Sequence, residues 1–233
     1  MPYYGYGIDI YYLLLVLPAL LIAMWAQFKV KSTFRAYSEQ RMESGLTGAQ
    51  AARRILDANG LDNIRLERVS GELTDHYDPR GGVIRLSAQV YDRSTAAAVG
   101  VAAHEAGHAV QYAVGYLPVK IRNAIIPVTN IGSALSMPLI ILGLIFSFGP
   151  LVTIGIALFS LVTVFQLVTL PVEFNASRRA EMILADSGMV TAEEQAGVHR
   201  VLSAAAFTYV AALLVSIMNL LRLLLLFGRR RND

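Results

Sequence analysis

Four long apolar stretches alternate with polar ones along the chain. The first covers 8–28, 21 residues with one acid at Asp9. That is enough to cross a bilayer as a helix. Its basic residues, Lys29, Lys31 and Arg35, come after the apolar run, the reverse of a signal peptide, so the pattern predicts an uncleaved anchor. Two further stretches, 125–146 and 151–171, are separated only by Ser147-Phe148-Gly149-Pro150, which predicts a helical hairpin across the bilayer. The last, 204–227, ends in Arg229-Arg230-Arg231 and is interrupted by Arg222.

Two polar sections, 30–122 and 172–202, lie between these blocks. Thr47 predicts the N-cap of a helix through Ala58, closed by Asn59-Gly60. Residues 64–69 partly alternate and read as a strand. Asp78-Pro79-Arg80-Gly81-Gly82 is turn chemistry between two short extended runs and predicts a small hairpin. Ser94 then predicts the cap of a long Ala- and Val-rich helix reaching about Gly115, with Pro118 just beyond its end. In the second section the pattern predicts a polar helix from Val172 to about Ser187 and a short amphipathic piece over 191–202. The expected fold is mainly α: an integral membrane protein with about four membrane helices and a small α+β unit containing one β-hairpin. The two polar sections are expected to pack together, giving a single membrane-embedded domain over 1–233.

Composition agrees with lipid as the solvent. Hydrophobic residues make up 55%, charged residues 16%, and the mean hydropathy is +0.50. A soluble domain has about a quarter of its residues charged. Cysteine is absent, so there is no disulfide framework, and any metal must be held by His and carboxylate. A formal charge of +3 with no dense basic tract argues against a nucleic-acid partner. Lys29, Lys31, Arg35, Lys120, Arg122, Arg178 and Arg179 fall on one side if the first three blocks cross. The positive-inside rule then puts the polar sections on the cytoplasmic side of a bacterial plasma membrane. The C-terminal arginines disagree, so the last block either crosses or lies partly in the interface, and the side of the C-terminus stays open.

The chemistry is concentrated in His104-Glu105-Ala106-Gly107-His108. Residues i and i+4 of a helix share a face, so the two imidazoles can grip one zinc ion. Glu105 then sits beside the metal as a general base. Two His and one Glu in an otherwise apolar helix are expensive without such a partner. The spacing alone occurs in unrelated helices, where satisfied core histidines explain it. A catalytic zinc needs a third protein ligand and an open position. Val114 stands where a continued histidine motif would place that ligand, so it comes from elsewhere. Glu173, Glu181, Asp186, His199 and His76 are the candidates. Placement favours Glu173, just past Pro171 at the end of an apolar block, where pairing with Arg178 or Arg179 is the rival explanation.

Several segments together resemble the YugP-type membrane zinc metallopeptidases. They are Thr74-Asp75-His76-Tyr77-Asp78-Pro79-Arg80, Leu86-Ser87, Val90-Tyr91, Ala102-Ala103-His104-Glu105-Ala106-Gly107-His108-Ala109, and Pro171-Val172-Glu173-Phe174-Asn175-Ala176-Ser177-Arg178-Arg179-Ala180. The likeness spans nearly the whole chain and is similar in layout to HtpX-type membrane gluzincins. In those, a transmembrane pair separates the histidine motif from a helix whose Glu is the third ligand. The resemblance implies a zincin-like catalytic unit, one catalytic Zn2+, Glu173 as the third ligand and peptide-bond hydrolysis. Ser177 stands where the gluzincin pattern has an Asp that orients a ligand His, so Ser177 or Asn175 is the expected substitute. In zincin folds a strand edge holds the peptide as an added strand. Residues 83–87 or 73–77 are candidates for that edge. His76 or Tyr77 would then contact the substrate or its oxyanion; the alternative is that Asp75, Asp78 and Arg80 build the turn and His76 is solvated.

The expected function is a zinc endopeptidase acting on membrane or membrane-proximal polypeptides. The alternative is a non-catalytic zinc-binding scaffold, against which the intact Glu105 argues. A transporter or channel is disfavoured because almost no charge lies in the apolar blocks before Arg222. Gly132, Gly143, Gly149 and Gly155 suit close helix packing, either within the chain or against a membrane-protein partner or a second copy.

Overall fold

The computed structural model describes residues 9–71 and 74–227. Ile8, Leu73 and Arg229-Arg230-Arg231, which figured in the expectations above, lie outside the described residues. Two compact units are present, the first drawn from 1–27, 120–170 and 208–233, the second from 28–119 and 171–207.

The first unit is drawn from four long apolar helices, parts of which belong to the second unit. Helix α1, Leu17–Tyr37, follows a π-helical turn at Tyr12–Val16. Helix α5 covers Leu117–Ile145, α6 Gly149–Asp186 and α7 Ala192–Phe227. All four are long and apolar enough to span a bilayer, with mean hydropathy of 1.8 to 2.4 in their most apolar windows. Large apolar side chains such as Trp25, Phe28, Ile131 and Leu167 point outward, as a lipid solvent allows. The chain is an integral membrane protein with a mainly α fold.

Backbones of α5 and α6 approach closely because glycines face the partner helix. A Cβ on Gly155 would lie 2.7 Å from the Ser136 carbonyl oxygen, and one on Gly143 2.8 Å from the Val152 nitrogen. Gly132 similarly faces Leu158, so three of the four glycines are used within the chain; Gly149 faces open space. The charges at the ends of the apolar blocks also find each other. Arg222 Nε donates to Asp9 Oδ2 at 2.8 Å, with the guanidinium over the Tyr12 ring.

The second unit is α+β. Thr47 caps α2, Gly48–Ala58, in a capping box closed by Gln50. A three-stranded sheet follows in the order β1-β3-β2, with β1 Arg65–Val69, β2 His76–Asp78 and β3 Val83–Ser87. The hairpin is β2–β3, turned by Asp78, whose Oδ1 accepts from the Arg80 and Gly81 amides. β1 joins parallel to β3, leaving β3 in the middle and buried along most of its length. A short α3, Ala88–Tyr91, leads to α4, Ala96–Ala113.

Some boundaries differ from expectation. The cap of α4 is Thr95, whose Oγ1 accepts from Ala98 N, rather than Ser94. The residue next along is extended and aims its hydroxyl correctly, whereas Ser94 lies one step outside. Pro118 lies beyond the end of α4 as expected, and falls in the first turn of α5, where proline is tolerated. The piece expected at 172–187 is not separate: α6 runs through Pro171 into it. Likewise α7 carries the 191–202 segment and the last apolar block as one helix.

Candidate metal centre

α4 is lined with small residues, and Ala96, Ala97, Ala98, Ala102, Ala103 and Ala106 are fully buried. Small side chains let neighbouring backbones come close. The tightest approach is at Gly107, between the two histidines, where a Cβ would lie 2.6 Å from the Ala176 carbonyl oxygen of α6. That contact carries Glu173, one turn earlier on α6, to the His104–His108 face.

The three side chains converge. Glu173 Oε2 lies 3.4 Å from His104 Nε2 and 3.5 Å from His108 Nε2. The imidazole planes are inclined by 82° with centroids 4.6 Å apart, so the nitrogens point to one locus from different directions. Two ligand atoms about 2.0–2.2 Å from a tetrahedral zinc stand roughly 3.4 Å apart. Both observed separations match that spacing, so the donor set fits the metal in chemistry and in distance. Among the described residues this is the one group of three such side chains close enough to hold an ion.

The outward nitrogens of both imidazoles are engaged. His104 Nδ1 is 3.0 Å from Ser177 Oγ, and His108 Nδ1 is 3.0 Å from Gln111 Oε1. Gln111 is fully buried, and its Nε2 donates to the Val172 carbonyl at 2.8 Å and to Asn175 Oδ1 at 3.0 Å. Asn175 Oδ1 also accepts from Arg179 Nε at 2.8 Å. Burial by itself would lower the affinity of His108 for a proton. The hydrogen bond to Glu173 and the charges of Glu105 and Glu173 outweigh it, and the pKa is raised.

Glu105 is buried beside the pair, and its Oε2 accepts from the Tyr77 backbone N–H at 2.9 Å. The Tyr77 ring packs edge-on against Tyr112 of α4. Successive residues of a strand face opposite ways. Tyr77 therefore meets α4 while His76 is exposed, its Nδ1 turned to the Thr74 carbonyl at 2.8 Å. β2 is a sheet edge; 83–87, the other candidate for that role, is the central strand. Asp75 ties the start of β2 down: its carboxylate accepts from the Ser87 amide at 2.7 Å and from the Ser87 hydroxyl at 3.2 Å. Burial raises the Asp75 pKa, partly countered by those two bonds.

The remaining ligand candidates are elsewhere. Glu181 and His199 pair with each other at 3.0 Å, and Asp186 is the exposed last residue of α6. Sequence reasoning missed Gln111 and the anchoring role of Asp75. For Gln111 a signal existed: a polar residue three positions after His108 shares its helix face.

The chain matches the family described as "Putative neutral zinc metallopeptidase" over residues 12–228. It is 48% identical over 222 residues to "Putative membrane protease YugP" of Bacillus subtilis (strain 168), covering 95% of this chain and 99% of that protein. No solved structure matches it.

Proposed function

The chain belongs to this zinc metallopeptidase family, and from that premise we propose that it is a zinc-dependent endopeptidase of membrane or membrane-proximal polypeptides. The convergence of His104 Nε2, His108 Nε2 and Glu173 Oε2 at zinc-ligand spacing carries the reading. These three would hold the ion. Bound zinc supplies Lewis acidity and brings the pKa of a water to about 7.

Glu105 is the general base. The Tyr77 amide fixes Oε2, which leaves Oε1 to take the proton of the attacking water and deliver it to the leaving amine. The free edge of β2 lies beside this carboxylate and suits an extended peptide added as a further strand. Tyr77 lines that approach. His76, facing outward from the same strand, meets the peptide only where the peptide passes over the exposed face. Ser177 and Asn175 support the ligands through their hydrogen bonds. The membrane helices of the same chain confine the enzyme to the bilayer, and Glu173 follows the third apolar block by two residues in sequence. The basic residues flanking the first three blocks favour a cytoplasmic catalytic unit on a bacterial plasma membrane.

Wild type and Glu105→Gln, purified in detergent, separate catalysis from metal binding. Elemental analysis is expected to find stoichiometric zinc in both, with only wild type cleaving an unfolded protein. Zinc in both and cleavage by neither would favour the scaffold reading. Wild type without stoichiometric metal would refute the proposal.

A further inference from the structure

We infer that Gln111 is a positioning residue that fixes the tautomer of His108, and that a hydrogen-bond chain anchored at Arg179 forces this arrangement. The inference rests on the proposed metal site.

A guanidinium can only donate. Arg179 Nε therefore obliges Asn175 to present its carbonyl oxygen, and the 2.8 Å contact is to Oδ1. The same Oδ1 is 3.0 Å from Gln111, so Gln111 must offer its amide nitrogen there. The Val172 carbonyl, which can only accept, makes the same demand at 2.8 Å. With both Nε2 hydrogens committed, Gln111 turns Oε1 to His108 Nδ1 at 3.0 Å. An amide flip would set oxygen against two acceptors in a fully buried site, where no water is at hand to satisfy either. Nδ1 of His108 thus donates to Gln111, which leaves Nε2 as the nitrogen turned to Glu173 and the proposed metal locus.

His104 has no equivalent constraint from its own partner. Ser177 Oγ both donates and accepts, so it satisfies either tautomer. Of the two imidazoles, only His108 is set by a chain whose polarity is dictated from end to end. Gln111 is also neutral. It orients the ring without adding the negative charge that a carboxylate partner would bring.

The test uses the full chain in detergent, with zinc affinity read by competition against a chromophoric chelator. Gln111→Leu removes the acceptor at similar size. Loss of an outer-shell partner typically weakens metal binding about 10–100-fold. Gln111→Leu is expected to fall in that range. A second readout needs no metal. The chain has four histidines, so 15N-histidine spectra at alkaline pH, with neutral imidazoles, resolve the tautomers. The spectra are taken on Glu173→Ala, in which no carboxylate at that position competes for the ring proton through Nε2. Glu173→Ala is expected to show His108 with hydrogen on Nδ1, and Glu173→Ala with Gln111→Leu a mixture. Thermal unfolding checks that the Leu variant is folded, and the Glu173→Ala spectrum carries the test if it is not. Wild-type zinc affinity retained in folded Gln111→Leu, or His108 with hydrogen on Nε2 in Glu173→Ala, would overturn the inference. The expected tautomer together with a wild type that binds no zinc would instead remove the metal reading and with it the functional purpose assigned to Gln111.

Discussion

Asp75 shows how one carboxylate acts through what it holds. It is two residues from Tyr77, whose amide positions Glu105, and its bonds to Ser87 fix the start of that strand. Asp75→Ala is expected to lower kcat with zinc content unchanged, since no ligand is touched; loss of zinc in that variant would show a wider collapse. Its burial also has a pH consequence. A carboxyl group with a raised pKa in the folded state contributes stability that is complete below its unfolded value near 3.8. That contribution is lost as pH rises through the folded pKa. Asp75→Asn, which cannot ionise, should therefore flatten this part of the stability profile above pH 4, read from unfolding midpoints in detergent. Equal slopes in the two proteins would contradict the assignment. At this scale the sequence was informative where residue type and spacing restrict chemistry, as in the His104–His108 pair. It was uninformative where a role depends on which atom faces which. Gln111 reads as one more flank of an apolar helix until Asn175 and Val172 are placed beside it, and Ser87 and Asp75 are twelve residues apart.

Among the elements, the approach of α6 to α4 decides whether a site exists. Gly107 has no room for a side chain, because the Ala176 backbone occupies it. Gly107→Val is expected to push the helices apart, destabilise the protein by about 1–3 kcal/mol as overpacking does, and release zinc. A Gly107→Val protein with wild-type zinc affinity would show that the helices can yield there. Helix limits were the least legible part of the fold. Pro171 lacks an amide hydrogen and disfavours helix in the residue before it, which suggests a break at the end of the apolar block. Yet α6 continues through it, Gly149–Asp186, and Glu173 lies within that one helix. A bilayer offers no water to satisfy an interrupted backbone, so continuity is favoured. β1 was legible as a strand, but its parallel pairing with β3 depends on contacts that periodicity does not encode.

For the whole molecule, the four apolar helices and the small α+β unit follow from the alternation of apolar and polar blocks, because lipid permits few alternatives. Arg222, which looked like an interruption of the last block, is paired with Asp9 at the start of the first. Removing one member of such a pair leaves a charge in apolar surroundings, and about 3 kcal/mol or more is the usual consequence. Arg222→Leu should therefore destabilise strongly, while Arg222→Leu with Asp9→Leu should recover much of the loss in thermal unfolding; an additive double variant would show that the pair does not couple.

The ligand set itself is open to direct observation by zinc X-ray absorption spectroscopy on the full chain in detergent. A first shell of two imidazole nitrogens and carboxylate oxygen at about 2.0–2.2 Å is expected, lost or depleted in Glu173→Ala and intact in Glu181→Ala. Wild type without bound zinc, or an unchanged shell in Glu173→Ala with loss in Glu181→Ala, would contradict the account.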